Sequence, residues 1–207
     1  ITAGPTYEAL DPVRFIGNHS SGKMGFSLAE AAANRGAKVI LISGPSSQTT
    51  NHQNIEIHHV ISAKEMFAEV FKYYENCDIA IASAAVADYA PKEVALEKIK
   101  KNDDSLTIEL VKNPDILKTM GERKNHQFLV GFALETQHEE ENAKTKLEKK
   151  NLDMIVLNSL RDTGAGFKSD TNKIKIITKT EVKEFNLKSK NEVAEDILNF
   201  AEEQILK

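Results

Sequence analysis

Short apolar runs recur along this chain at intervals that leave room for one helix each, and that rhythm limits the possible folds. Lys38–Ser43 (KVILIS), Asp78–Ala82 (DIAIA), Phe128–Phe132 (FLVGF) and Met154–Leu157 are apolar without alternation, as expected of strands covered on both faces. Ile1–Ala3 reads as the end of another strand, Ile55–Val60 as a shorter one and Leu106–Leu110 as one more. Helix signals lie between them. Met24–Arg35 is alanine-rich with Gly36 just past its end, and Ser62-Ala63-Lys64-Glu65 is a capping box opening a helix to about Tyr74. Pro114 suits the first position of a short helix ending near Gly121, Glu139–Lys150 is a further helix, and Ser189–Glu192 is a second capping box opening the last one. Lys173–Thr178 and Glu181–Asn186 alternate polar and apolar residues, which suits an antiparallel hairpin at a sheet edge. The expected fold is therefore α/β: a Rossmann-like, mostly parallel sheet with helices on both faces and an antiparallel edge hairpin. At 207 residues, the chain can build one sizeable core and is short for two, so 1–207 is expected to be a single domain.

Charge and cysteine usage narrow the class. A formal net charge of -4 gives no bulk attraction to nucleic acid or to anionic membrane, so a basic site for phosphate must be local. No run of about 18 apolar residues exists to span a membrane, and no basic segment followed by an apolar run marks a signal peptide. Cys77 is the sole cysteine, which suits a reducing cytoplasm. The chain opens in mid-strand at Ile1-Thr2-Ala3-Gly4 with no initiator Met, as a domain cut from a longer protein would.

Parallel sheets bind ligands beyond the carboxyl ends of their strands, near the switch in strand order, so the loops after the strands carry the functional reading. The first runs from Gly4 to Gly25 and holds Asn18, His19, Ser20, Ser21 and Lys23 close to a helix start. Small residues and a helix N-terminus favour an anion there; the plain alternative is a flexible loop that binds nothing. Gly17–Lys23 has the spacing of a phosphate-binding P-loop, but Met24 stands where that motif needs a magnesium-ligating hydroxyl. Ser83–Tyr89 follows another strand, with small side chains at Ala84 and Ala85 and a carboxylate at Asp88; tight helix packing would also explain it. Lys92, Lys98, Lys100 and Lys101 form a basic stretch that reads either as solvated surface or as a segment closing over phosphates. Asn113-Pro114-Asp115-Ile116 is a helix start, Phe132 ends a strand and either stacks on a base or fills core, and Lys146 and Lys150 share one helical face. Asn158 ends the next strand, and Asp162–Asn172 is a polar loop. Metal-ligand spacing is absent, as is a G-x-S-x-G elbow, and Cys77 is best read as packing.

Together these segments resemble bacterial phosphopantothenoylcysteine synthetase. The motifs are TAGPT (Thr2–Thr6), DPVRFIGNHSSGKMG (Asp11–Gly25), AAVADY (Ala84–Tyr89), EKIKK (Glu97–Lys101), KNPDIL (Lys112–Leu117), VGFALET (Val130–Thr136) and KKNLD (Lys149–Asp153), with Gly166-Phe167 and Asn172 also in place. The resemblance implies a phosphopantothenate–cysteine ligase of coenzyme A biosynthesis that uses CTP and Mg2+. It implies Lys98 as the lysine steadying an acyl-cytidylate, and Asn18 as a contact to the acyl group. Ser20, Ser21, Lys23, Ala84 and Ala85 would complete the phosphopantothenate and intermediate side. Gly4, Asp88, Lys98, Asn113, Pro114, Asp115, Ile116, Phe132, Lys146 and Lys150 would hold the nucleotide. It further implies a homodimer, and in most bacteria fusion to a flavin-dependent decarboxylase half; no nucleic acid or membrane partner is expected. The magnesium ligands are left unassigned.

Two other readings make different demands. A nicotinamide-dependent reductase needs a glycine fingerprint after the first strand and an acidic residue ending the second, and Gly4-Pro5-Thr6 and Ser43-Gly44-Pro45 supply neither. A nucleotide-binding module without catalysis has no need of a lysine like Lys98.

Overall fold

The computed structural model describes residues 1–100, 105–135, 137–159 and 169–206. Its centre is an eight-stranded sheet built from β1 (Thr2–Ala3), β2 (Val39–Ser43), β3 (Ile55–His59), β4 (Ile79–Ala82), β5 (Phe128–Glu135), β6 (Met154–Ser159), β7 (Ile174–Ile177) and β8 (Val182–Glu184). The spatial order is β8-β7-β6-β5-β4-β1-β2-β3. From β6 to β3 every neighbouring pair is parallel, and β6–β7 and β7–β8 are antiparallel. The α/β reading and the edge hairpin therefore hold. Strand order reverses at β1: the chain moves outward through β2 and β3, then returns to β4 on the other side.

The helices are α1 (Lys23–Asn34), α2 (Ala63–Tyr73), α3 (Ile116–Arg123), α4 (Glu139–Lys149) and α5 (Lys190–Ile205). Successive residues of β6 sort to opposite faces, as a pleated strand requires. Met154 and Val156 join a core with Leu28 of α1 and Ile197 of α5. Ile155 and Leu157 join another with Met66 of α2 and Leu147 of α4. Both capping boxes form, with Ser62 Oγ and Ser189 Oγ accepting from the N–H groups of Glu65 (3.2 Å) and Glu192 (3.3 Å). Cys77 is packing, as expected: its Sγ lies 3.2 Å from the Tyr74 carbonyl, and burial pushes the thiol pKa up.

Three local readings need correction. The Gly4–Gly25 segment is not one continuous loop, because Tyr7–Ala9 and Phe15–Gly17 pair as a short antiparallel ribbon. Leu106–Leu110 is not a strand; only Leu110–Lys112 is, pairing with Tyr89–Pro91 in a second ribbon. Pro114 is not the first helical residue. Asp115 is the N-cap of α3, its carboxylate accepting from the Lys118 N–H at 2.9 Å, so the proline precedes the cap. Lys101, Thr136, Gly166 and Phe167, with the 162–168 part of the polar loop, lie outside the described residues.

Candidate active site

At the switch in strand order, the chain leaving β4 is stitched to the chain leaving β1. The N–H groups of Ala84 and Ala87 donate to Thr2 Oγ1 (3.2 Å) and Thr6 Oγ1 (3.0 Å), and the Ala85 N–H donates to the Gly4 carbonyl (2.8 Å). Thr2 and Thr6 are both buried, so hydroxyls otherwise costly to bury find partners in this backbone. Asn18 adds a further tie, its Nδ2 donating to the Val86 carbonyl at 2.9 Å and to that of Ala85 at 3.3 Å. The result is a floor of small side chains held open between two strand ends.

Two cavities use that floor. The first, of ≈ 420 Å³, is lined by Asp88, Asn113, Pro114, Asp115, Ile116 and Lys150 among others. The second, of ≈ 560 Å³, is lined by Asn18, Ser20, Ser21, Lys23 and Ala85 with residues from β5, β6 and α5. Ala84, Val86, Asp88, Phe132 and Lys146 line both. Phe132 also packs against the α1/α5 core, so it is both wall and core. Of the expected residues, Asn113–Ile116 and Lys150 border only the first space, and Asn18, Ser20, Ser21, Lys23 and Ala85 only the second.

The cations are held by named partners. Lys150 Nζ donates to the Asp115 carboxylate at 2.6 Å, and Lys146 Nζ to the Phe132 carbonyl at 2.7 Å. Burial opposes charge on Asp115, but bonds from Lys150 and the Lys118 N–H outweigh it and hold the carboxyl below its usual range. Burial, reinforced by the nearby Lys150, pulls the Lys146 pKa down. In the second cavity Lys23 pairs with Asp170.

Gly25 explains how closely α1 approaches the strand end. A Cβ there would meet Ala3 Cβ at 2.5 Å, so only glycine lets the helix start lie against β1. Gly4 has a structural role of the same kind. It sits at φ 74°, where side chains are disfavoured, and a Cβ would stand 3.0 Å from the Gly44 carbonyl oxygen. It lines neither cavity. Lys98 is the other expected residue set apart: it is exposed and lines neither cavity.

The sequence reading missed Lys190. This lysine is 7% exposed, opens α5 and lines the second cavity with Asn158 and Asn172. Asn172 Nδ2 donates to Asn158 Oδ1 at 3.1 Å, which fixes that corner. A lysine at the first position of a helix opposes the helix dipole, and that was the available clue. Among the described residues no three His, Cys, Asp or Glu side chains group as a metal site, and no helix is long and apolar enough to cross a membrane.

Comparison with known proteins adds a family. The model of the DNA/pantothenate metabolism flavoprotein C-terminal domain matches residues 1–205. A coenzyme A biosynthesis bifunctional protein CoaBC from Haemophilus influenzae is 52% identical over 96% of this chain and 50% of its own length. A protein named cysteine/cysteine sulfinic acid decarboxylase, from an unknown prokaryotic organism, is 50% identical over 96% of this chain and 56% of its own length. The chain thus spans about half the length of these curated relatives. The crystal structure of a CoaBC C-terminal domain matches with a TM-score of 0.83 and 45% identity, covering 99% of this chain and 94% of that one.

Proposed function

The chain belongs to the DNA/pantothenate metabolism flavoprotein C-terminal domain family, and from that membership we propose that it joins 4′-phosphopantothenate to L-cysteine at the expense of CTP. The observation that carries this reading is the pair of adjoining cavities sharing Ala84, Val86, Asp88, Phe132 and Lys146. A ligase that activates an acid on a nucleotide needs two ligand sites meeting at one reacting centre.

A carboxylate is a poor electrophile and must be activated first. In the proposed sequence, a phosphopantothenate carboxylate oxygen attacks the α-phosphorus of CTP, pyrophosphate leaves and an acyl-cytidylate forms. The cysteine amine then attacks the acyl carbon and CMP leaves. Both steps gather negative charge, so positioned cations and N–H groups stabilise the transition states and no protein nucleophile is required. Lys146 and Lys150 would bind the nucleotide phosphates, with Asn113–Ile116 lining the nucleoside side. Asn18, Ser20, Ser21, Lys23, Ala84 and Ala85 would hold phosphopantothenate and the intermediate, and Lys98 would steady the acyl-cytidylate. Magnesium, riding mainly on phosphate oxygens and water, fits a site with Asp88 as the carboxylate on the shared wall. When bound, it would neutralise phosphate charge.

The reading extends to a cytoplasmic, single-domain unit, fused in the native chain to a flavin-dependent decarboxylase half, and to a homodimer. Exposed Phe15, Tyr89, Leu110 and Val111 on the two short ribbons, with Val13 in the turn of the first, would offer apolar surface for a second copy.

The test is pyrophosphate release with CTP, ATP, GTP or UTP, each with and without phosphopantothenate and cysteine, beside a mass measurement by sedimentation. Release that requires phosphopantothenate and favours CTP is expected, from a particle of dimer mass. Release that ignores phosphopantothenate, or carbon dioxide release from cysteine sulfinate without nucleotide, overturns the ligase reading.

A further inference from the structure

The turn from Leu10 to Arg14 lines neither cavity, yet it holds a carboxylate that is 3% exposed and heavily bonded. One oxygen of Asp11 accepts from the N–H groups of Val13 and Arg14, both at 2.8 Å. The other accepts from Arg14 Nε (2.9 Å), Arg14 Nη2 (2.5 Å) and the Ile99 N–H (3.1 Å). Arg14 Nη2 also donates to the Ile99 carbonyl at 2.8 Å. Both backbone polar groups of Ile99 are thereby gripped by a pair of side chains more than 80 residues earlier in the chain. The Ala95 N–H adds a bond to the Leu10 carbonyl at 3.0 Å.

Closing the turn requires only the bonds from Asp11 to residues 13 and 14, an ordinary side-chain-to-backbone arrangement. The reach to Ile99 is additional, and it falls on a segment with little burial to hold it. Val94 is 53% exposed, Leu96 is 95% exposed, and Lys98 is exposed. An ion pair whose arginine side chain is 38% exposed adds little net stability, and here it holds the peptide next to Lys98.

We propose that Asp11 and Arg14 are positioning residues for Lys98, acting through the backbone of Ile99 to fix where that ammonium stands. This rests on the reading of Lys98 as the cation of acyl-cytidylate formation. The pair touches neither cavity and acts by holding the backbone of Ile99, the residue that follows the lysine.

The experiment is a double-mutant cycle on the full chain, read as single-turnover pyrophosphate release with CTP and phosphopantothenate, with calorimetric CTP affinity and melting temperature alongside. Asp11→Asn is expected to slow release by roughly tenfold or more, since a displacement of about 1 Å can cost about a hundredfold, while CTP affinity stays within about twofold. Arg14→Lys keeps a cation beside Asp11 but loses the planar fork on Asp11 and the Nη2 bond to the Ile99 carbonyl, so it should fall between wild type and Asp11→Asn. In a Lys98→Gln background, or Lys98→Arg should Lys98→Gln leave no measurable rate, either change should add little further loss, because coupled residues are not additive. Fully additive losses, or unchanged release in Asp11→Asn and Arg14→Lys while Lys98→Gln is impaired, overturn the proposal. Full release by Lys98→Gln removes the reading beneath it instead. If Asp11→Asn does not fold, the Arg14→Lys cycle decides alone.

Discussion

Two lysines of the first cavity, Lys150 and the shared Lys146, come from the end of a helix, and the two that line only the second, Lys23 and Lys190, come from the beginnings of two others. Lys146 lies in the last turn of α4 and Lys150 is its C-cap, where the negative end of the helix dipole favours a cation. Lys23 and Lys190 are the first residues of α1 and α5, where the dipole opposes one. α1 has neither a side-chain cap nor an acidic residue in its first turn. At the first cavity the helix end and the Asp115 carboxylate favour a cation at Lys150 before any ligand arrives, while burial works against one at Lys146. At the second, the uncapped N–H groups of α1 favour an anion beside the two lysines, of which Lys23 is already paired with Asp170. Burial, with Lys23 nearby, pulls the Lys190 pKa down, as burial does for Lys146.

The hardest test of this contrast is the wall between the two spaces. Ala84 lines both cavities, so Ala84→Leu should intrude on both ligands. We expect kcat/KM to fall by about a hundredfold or more for CTP and for phosphopantothenate alike, or roughly 2.7 kcal/mol. Melting would separate this from overpacking, which typically costs about 1–3 kcal/mol in a filled core. A loss confined to one substrate would mean that the cavities work separately.

Smaller effects should have opposite signs at the two ends. Lys150→Met leaves the Asp115 carboxylate without its 2.6 Å partner and should lower apo stability by a few tenths to about 1 kcal/mol. Lys190→Met removes a mostly buried cation from a helix start and should raise apo stability, by up to about 1 kcal/mol. The same change should weaken binding of the anion in the second cavity. Thermal melts of both variants give the comparison, and a lower midpoint for Lys190→Met would break it.

Where the sequence was readable, the signal was local and repeated. The apolar runs of β2, β4, β5 and β6, and the capping boxes at Ser62 and Ser189, each announce themselves within a few residues. The ribbons did not, because strands of three residues such as Tyr7–Ala9 and Phe15–Gly17 are too short to show a period. Pro114 misled because its preference for a first helical turn is real, but the Asp115 carboxylate is the stronger local partner for the free N–H groups of α3. Lys190 was hidden for another reason. Its capping box reads as an ordinary helix start, and only the packing of α5 against α1 places it beside a loop about 170 residues earlier. The motifs of the first resemblance pointed to Asn18, Ala84 and Lys146, but no spacing rule could say that they frame two spaces with a common wall.

The smallest expected effect concerns protons. Burial disfavours the charged form of Lys146, Lys150 reinforces this, and Glu135, Asp115 and Asp88 oppose it, leaving its pKa below that of free lysine. In the window between the folded and unfolded values, the unfolded chain binds a proton that the folded chain has released. Stability from this group is therefore greatest above about pH 10.4, the free lysine value, and is lost as pH falls through the folded pKa. Nucleotide affinity should run the other way, because a phosphate needs the ammonium. Binding would then draw the pKa back up and take in a fraction of a proton at a pH just below the free lysine value. Calorimetry in buffers of different ionisation enthalpy measures that uptake directly. It should shrink in Lys146→Gln, and a wild-type protein that binds CTP at that pH with no proton uptake would place the phosphates away from Lys146 and reassign the first cavity.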